Sequence, residues 1–592
     1  MTNKISLKQV VLNSGDVVDI ADGVTAVVGP NNTGKSSLLK EIRDQLSVEP
    51  YQRSSVTSKV VERLILSYEG TGTGFFEDLA KTYGLKNPGQ YNYGLMTNPH
   101  VVINGNAHIE LSDVEGHWGS QDGLGGRLSQ FQLRYLNAEE RLGLTGNVGA
   151  IDTYRDLPNS PLQILYSDRD MEARLNDLSR EAFKTGAVVN RYAGGVINLH
   201  AGEVTAEEGR SPQSAEYLAE INALPLMQEQ GDGMRAFVGM VMSIITNQIP
   251  LVLIDEPEAF LHPPQARMFG RFLADFAKQG SGTQVVIATH SEDVIAGLTS
   301  ASRSDTHISI ARLTRDRANN HVAQLSAEAV REFYEDPLMK HYDMLNGLFS
   351  TGVVLCEADS DCTYYRATVD SLPASDFGFI QEAHFTHSSG KARIAQAVKT
   401  FRETAVPVVA IFDIDILQND GEFNKLVDVI GADRGVVDPL RNTVVGAISN
   451  RATTLKRASV KAEIIGILDK KTAEVLSAGE ARKIQEAASQ KSGWKDLKTA
   501  GKSLLSGGDA TAFAKLCEYL EAFGVFILEQ GELERIHPEI TQSNKATWLR
   551  EVIEGRLYET SIAAPMLQRV SDFLGSAQLR VEAAPTVPVS GE

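Results

Sequence analysis

Two sets of residues in this chain have the types and spacings that phosphate chemistry requires. The first opens with Gly29-Pro-Asn-Asn-Thr-Gly-Lys-Ser36, a G-x-x-x-x-G-K-S run between an apolar segment and a helical one. Glycines in that pattern let backbone N–H groups turn inward around phosphate oxygens. The lysine reaches the β/γ-phosphates and the serine hydroxyl serves Mg²⁺ at a helix N-terminus. Asn31, Asn32, Gly34, Lys35, Ser36 and Ser37 are therefore the nucleotide-binding candidates, with Ser36 also a metal ligand. Far downstream, the apolar run from Ile249 ends in Asp255 and Glu256. Such a run reads as a parallel strand buried on both faces, with Asp255 serving Mg²⁺ and Glu256 polarising an attacking water. A further strand, Thr283 to Ser291, ends in His290, placed to sense a γ-phosphate. Gln230-Gly-Asp-Gly-Met-Arg235 opens another apolar helix, and backbone at Gly233 is a candidate grip on the nucleotide of a second subunit.

The second set is acidic. Glu357 and Asp361 follow the apolar run Val353-Val-Leu-Cys356, and Asp413 and Asp415 follow Val408-Val-Ala-Ile-Phe412. Parallel strands deliver their C-terminal ends to one edge, so the four carboxylates are expected to converge there. Crowded carboxylates repel unless a cation neutralises them, and all-oxygen donors suit Mg²⁺ or Mn²⁺. Two such ions about 4 Å apart can clamp both oxygens of a phosphodiester exchange. Between Arg451 and Lys502 stand twelve basic residues against six acidic ones, in a chain whose net charge is −19. Lys491, Lys495, Lys498 and Lys502 recur at helical spacing around Trp494, which makes this stretch a candidate phosphate-backbone surface.

The elements that must position these groups can be read more coarsely. At 592 residues the chain exceeds one core. Its 42% hydrophobic and 22% charged content is that of an ordinary globular protein. No run of 18 apolar residues occurs and Met1-Thr-Asn-Lys-Ile-Ser has no signal-peptide core, so a cytoplasmic protein without membrane contact is expected. Three cysteines make no disulfide framework and no metal spacing, and are expected to be buried thiols. The roughly 190 residues between the phosphate loop's helix and the Asp255 strand exceed what a minimal nucleotide core needs, so an inserted subdomain is expected within about 45–230. Within it, residues 68–125 read as loops and short strands, and 170–190 as helix. Residues 301–350 read as a helical linker with apolar contacts at Leu325, Ala329, Phe333, Leu338 and Leu345. A second α/β unit restarts at 351, carries a mostly helical insertion at about 420–520, and closes with a strand at Gly524–Leu528. The segment 561–592 reads as a helix with a disordered tail.

These motifs, in this order over about residues 1–560, resemble the OLD (overcoming lysogenization defect) family, an ABC-type ATPase fused to a Toprim nuclease domain. Glu256-Pro-Glu-Ala-Phe-Leu-His-Pro263, Thr289-His-Ser291, Glu357-x-x-x-Asp361 and Asp413-Ile-Asp415 carry the resemblance. The expected class is then α/β: an ABC-type P-loop ATPase at 1–300 with an inserted subdomain, a linker at 301–350 and a Rossmann-like Toprim domain at 351–560 with a helical insertion. The resemblance implies that Glu256, Glu357, Asp361, Asp413, Asp415 and Lys545 are catalytic. It adds Glu534 as a metal ligand and Lys545 as the residue stabilising the scissile phosphate. Implied cofactors are ATP and Mg²⁺, with Mn²⁺ an alternative at the Toprim site. Implied partners are DNA, a second copy in a homodimer or higher oligomer, and a partner protein of an anti-phage defence system. Two departures stand out: Ala358 replaces the glycine usual after the first glutamate, and Gly231-Asp-Gly233 replaces a serine-containing signature loop. The alternative reading is a nucleotide-gated DNA sensor or scaffold whose Toprim half binds without cutting. A primase or topoisomerase fits less well, leaving the ATPase unexplained.

Overall fold

Short segments rich in Val, Ile and Leu build the central sheet of the first unit, Met1–Pro337. β-Branched residues lose little side-chain freedom in extended chain, which is why Val24–Val28 and Gln284–Ala288 are strands, fully buried along their length. The computed structural model describes residues 3–581 except 49–56, 88, 92–93, 104–106, 121–128, 130–131, 152–157, 159, 210–213, 247–248, 280–281, 301–306, 317, 327–343, 389, 450–456, 470–474, 489–492 and 541–543. The sheet runs, in spatial order, Leu133–Leu136, Leu251–Asp255, Gln284–Ala288, Val24–Val28, Ile308–Asp316 and Asn319–Ser326. All neighbours are parallel except the last pair. The phosphate-loop strand and the Asp255 strand are therefore separated by the strand that leads to His290.

The helix Lys35–Ser47 follows the phosphate loop and buries Leu38, Leu39, Ile42 and Leu46, one apolar stripe at helical spacing. Pro263 and Pro264 start the helix Pro263–Lys278, where a missing N–H is harmless. Residues 308–326, expected to be helical linker, instead form the two edge strands of this sheet. The physical reason is the Ile308-Ser-Ile-Ala-Arg-Leu run, rich in residues that pack in extended chain, whose Ile308, Ile310, Ala311, Arg312 and Leu313 are all buried. Leu325 lies in the last of these strands, and Leu345 in a 3₁₀ turn at Met344–Phe349. Ala329, Phe333 and Leu338 lie outside the described residues.

The insertion builds a small core against Ile5 of the first strand, with Phe75, Phe76, Leu79, Val101, Ile109 and Val114 buried beside it. Residues 68–125 hold more helix than expected. Gly72–Tyr83 is helical despite two glycines, because Thr71 caps it and Phe75, Phe76 and Leu79 anchor one face. Arg169–Phe183 is a helix, as the apolar spacing predicts.

The second unit, Leu338–Glu592, is built on a four-stranded parallel sheet in the order His384–His387, Val353–Cys356, Val408–Phe412, Val525–Ile527. Helices Asp359–Asp370 and Lys391–Glu403 connect the strands. The insertion expected at 420–520 contains the helices Asp420–Ile430, Arg434–Ser449, Arg457–Leu468, Ala478–Ala488, Gly493–Ala500 and Gly507–Glu521. The helix Ala564–Val581 is no appendage: its Leu567, Val570 and Leu574 are buried in the same core as Trp548 and Tyr364. The three cysteines are free and buried. Among the described residues, no helix is long and apolar enough to cross a membrane.

Candidate functional site

In the first unit the loop Gly29–Gly34 curls tightly because three residues adopt the left-handed backbone that glycine favours: Gly29 (φ 137°), Asn32 (φ 62°) and Gly34 (φ 89°). A side chain at Gly29 would meet the Leu313 carbonyl oxygen at 2.1 Å. Lys35 Nζ donates to the carbonyl oxygens of Gly29 and Pro30, both at 2.7 Å, and so spans the loop it belongs to. Burial pushes its ammonium below its ordinary range against the pull of Glu258, Glu256 and Asp255. The far side of the loop is braced by Asn320, whose Nδ2 donates to the Thr33 carbonyl at 2.5 Å. Asn31, Asn32 and Ser37 are exposed, and Ser36 is half-buried at the second position of the helix.

Asp255 closes its strand with one oxygen, Oδ2, accepting from the Tyr135 hydroxyl at 3.1 Å. Its other oxygen, Oδ1, is buried and accepts no hydrogen bond among the described residues. A buried carboxylate oxygen left without a donor is costly, and a hard cation is the partner that would satisfy it, so the residues present fit Mg²⁺. Glu256 is held at φ 49°, an uncommon conformation for its type, with its N–H donating to the Ala288 carbonyl at 2.8 Å. Arg141, fully buried, donates to the carbonyls of Asp255 (3.2 Å) and Glu256 (2.9 Å) and fixes that turn from behind.

His290 engages Glu258, which sequence reasoning left unassigned within the Glu-Pro-Glu segment. Glu258 accepts from Thr289 Oγ1 at 2.7 Å and from the His290 N–H at 2.8 Å, and its Oε1 lies 3.0 Å from His290 Nδ1. Burial raises the Glu258 carboxyl, but bonds from His290 and Thr289 outweigh it and hold it below its ordinary range. The same contact raises His290. Gly231 caps the helix Asp232–Ile245, and a side chain at Gly233 would fall 2.6 Å from the Phe260 carbonyl.

The second unit gathers its acids at the C-terminal edge of the parallel sheet. Glu357 Oε1 accepts the Asp413 N–H at 3.0 Å. One carboxylate oxygen each from Glu357, Asp413 and Asp415 lie within 4.8 Å of one another, a set able to hold a metal ion. Asp361 stands beside that trio rather than in it. Its Oδ2 accepts the Ala358 N–H at 3.0 Å in a capping box, and its Oδ1 lies 2.7 Å from Lys545 Nζ. Glu534 sits in a 3₁₀ turn at Leu533–Arg535 and is not among the three clustered carboxylates. Burial, then repulsion from Glu357 and Asp361, pushes Asp413 well above the usual carboxylate range. Burial likewise lifts Glu357 to about 7, despite Lys391. Both carboxyls are displaced upward mainly because burial disfavours their charged forms, with mutual repulsion adding to it. All-oxygen donors in that condition fit a divalent cation.

Two lysines complete the cluster. Lys391, first residue of its helix, forms an ion pair with Asp415 Oδ1 and lies 3.6 Å from Glu357 Oε1. Lys498 lies 3.1 Å from Asp415 Oδ2 and 3.9 Å from Glu532. Lys391 was invisible as a site residue, though Ser388-Ser-Gly-Lys391 at a strand end was a usable signal. Lys498 was expected on an open phosphate-binding face. It points instead at Asp415, and Lys502 pairs with Glu529. Lys495 is exposed, and Lys491 lies outside the described residues.

The family described as "AAA domain, putative AbiEii toxin, Type IV TA system" matches residues 206–296, the stretch that contains Gly233, the Asp255–Glu256 strand end and His290. This part of the first unit is an AAA-type ATPase domain. Its matched span stops short of the phosphate loop, which the glycine backbone and Lys35 define independently. Among solved structures, the SMC head bound to the C-winged helix domain of ScpA shares 13% identity at a TM-score of 0.33, covering 55% of this chain and 99% of that one. The SMC head domain from Thermotoga maritima shares 14% at 0.28, over 55% and 100% of the two chains. The SMC head with an extended coiled coil from Pyrococcus furiosus shares 11% at 0.31, over 56% and 99%. Likeness at that level carries no argument about function. No curated protein matches the chain significantly.

Proposed function

We propose that this chain is an ATP-regulated, divalent-metal-dependent DNA endonuclease of the OLD type, acting in anti-phage defence as a homodimer or larger assembly. The observation that carries the reading is the meeting of Glu357, Asp413 and Asp415 within 4.8 Å at the sheet edge of a unit separate from the nucleotide loop. In the first unit, Lys35 and the backbone of Gly29–Ser36 bind the phosphates, with Ser36 and Asp255 as the Mg²⁺ ligands. Glu256 takes the proton of the attacking water, held in place by the Ala288 carbonyl and by Arg141. His290, steered by Glu258, reports the γ-phosphate to the strand edge. Gly233 at its helix start offers N–H groups to a nucleotide across a dimer.

In the second unit, Glu357, Asp413 and Asp415 orient the cleavage site in a Toprim-like arrangement, with Asp361 and Glu534 at its margin. Bound divalent ions would supply the Lewis acidity that phosphodiester hydrolysis needs. Lys545, 2.7 Å from Asp361, is placed to balance charge on the scissile phosphate. Plasmid nicking in Mg²⁺ or Mn²⁺ tests the assignment. Wild type should nick and Asp413→Ala should not, whereas equal rates would remove the nuclease reading. One observation favours the second reading, a DNA sensor or scaffold that binds without cutting: ammonium groups already neutralise part of the acidic cluster. Stable DNA binding with no cleavage under either metal would select it.

A further inference from the structure

Both oxygens of Asp415 are engaged by lysine: Lys391 on Oδ1 and Lys498 on Oδ2 at 3.1 Å. Lys391 also faces Glu357 Oε1, the oxygen that accepts the Asp413 N–H. An ammonium group on each oxygen competes electrostatically with a divalent ion for Asp415, so metal entry weakens at least one of the two contacts. The lysines come from separate elements, Lys391 from the start of the helix Lys391–Glu403 and Lys498 from the helical insertion. Gly531, at φ 109°, lets its backbone pass so close to the Lys498 carbonyl that a side chain there would fall 2.2 Å from it. Lys391 and Asp415 also line a polar cavity of about 480 Å³ with Gln418, Asn419, Asp420 and Glu422, which gives the Lys391 side chain somewhere to go.

We propose that Lys391 and Lys498 are exchangeable internal counter-ions: a divalent ion entering the cluster displaces them from Asp415, and the released ammonium groups then hold the phosphodiester. The inference rests on the metal-dependent nuclease reading and deepens it by coupling metal entry to substrate grip. Before loading, the two lysines keep three crowded carboxylates from repelling one another. After loading, a divalent cation, equal in charge to the two lysines together, occupies the cluster and repels both, leaving their ammonium groups available to an anionic backbone. No covalent bond is made or broken in the exchange; ammonium–carboxylate hydrogen bonds give way to metal–carboxylate coordination.

The test uses the full chain without nucleotide. Amine-selective acylation of the wild type, read by mass spectrometry, should label Lys391 and Lys498 several-fold faster once Mn²⁺ is added, with exposed Lys495 as internal standard. Unchanged or slower labelling overturns the exchange and needs no variant to fold. In parallel, Mn²⁺ titrations followed by electron paramagnetic resonance should show Lys391→Met binding Mn²⁺ roughly tenfold more tightly than wild type, because a competing cation is gone. Lys391→Arg, which keeps the charge, should stay near wild type. Duplex DNA binding in Ca²⁺ should weaken several-fold in Lys391→Met and be unaffected in metal-free buffer. A Met variant with unchanged Mn²⁺ affinity means a purely structural lysine and refutes the proposal. If instead Asp413→Ala binds as much Mn²⁺ as wild type, the metal-site reading itself fails, and the exchange falls with it.

Discussion

The nucleotide loop of the first unit and the acidic edge of the second solve opposite electrostatic problems with different materials. The loop must hold a polyanion, and it does so largely with backbone: glycines at Gly29 and Gly34, the N-terminus of the helix Lys35–Ser47, and one lysine parked on its own loop carbonyls. The acidic edge crowds carboxylates, and its charged groups are all side chains, drawn from strand ends 56 residues apart and from lysines on three helices, with the Asp413 and Ala358 N–H groups in support. A backbone site tolerates many side chains but few changes of backbone. A side-chain site is the reverse, since removing one carboxylate or one lysine leaves the others uncompensated.

The sharpest way to break this comparison is a double dissociation. Lys35→Ala should reduce ATP hydrolysis on the order of 100-fold or more while leaving Mn²⁺ binding to the second unit intact. Asp413→Ala should do the reverse to Mn²⁺ binding and leave ATP hydrolysis within about twofold. Loss of both properties from either change would mean that the two sites are not separable. A smaller effect is expected behind the nucleotide site. Arg141→Met strips the donors from the Asp255 and Glu256 carbonyls and should lower stability by about 2 kcal/mol in denaturant titration. A change below about 0.5 kcal/mol would show that the turn is held without it.

The smallest effect concerns pH. His290 is raised by its contact with Glu258, so the stabilisation it adds is complete below its unfolded value of about 6.5 and fades as pH climbs through its higher folded value. The stability difference between wild type and His290→Asn should therefore be largest near pH 6 and shrink by pH 8. A gap that widens with rising pH would contradict the pairing.

Contiguity decided how much was legible beforehand. The phosphate loop, the Asp255 strand and the order of elements could be read because each is a short run whose chemistry depends on near neighbours. The acids could be placed at one edge because parallel strands share a direction, and Glu357 and Asp413 do meet there. Their exact partition could not be read: Asp361 turned aside to Lys545, and Glu534 stayed outside the clustered trio. Lys391 looked like any solvated lysine and Lys498 like one of a phosphate-binding row, because what ties both to Asp415 is proximity in space. Residues 308–326 misled for a related reason. Arg312 and the polar residues around it weaken an apolar signal, yet Arg312 is buried in a strand paired to Val24–Val28. Tyr135, Arg141 and Glu258 likewise act through contacts that no local pattern announces.

The strand Val24–Val28 finds its two neighbours only at Gln284–Ala288 and Ile308–Asp316. On a translating ribosome the earliest-made piece of the nucleotide loop therefore waits, unpaired on both sides, for some 260 further residues (284 − 24) before its first neighbour emerges. At ordinary elongation rates that delay is roughly 13 to 52 s. A nascent chain stalled before residue 284 would leave this mostly apolar strand without either of its sheet partners.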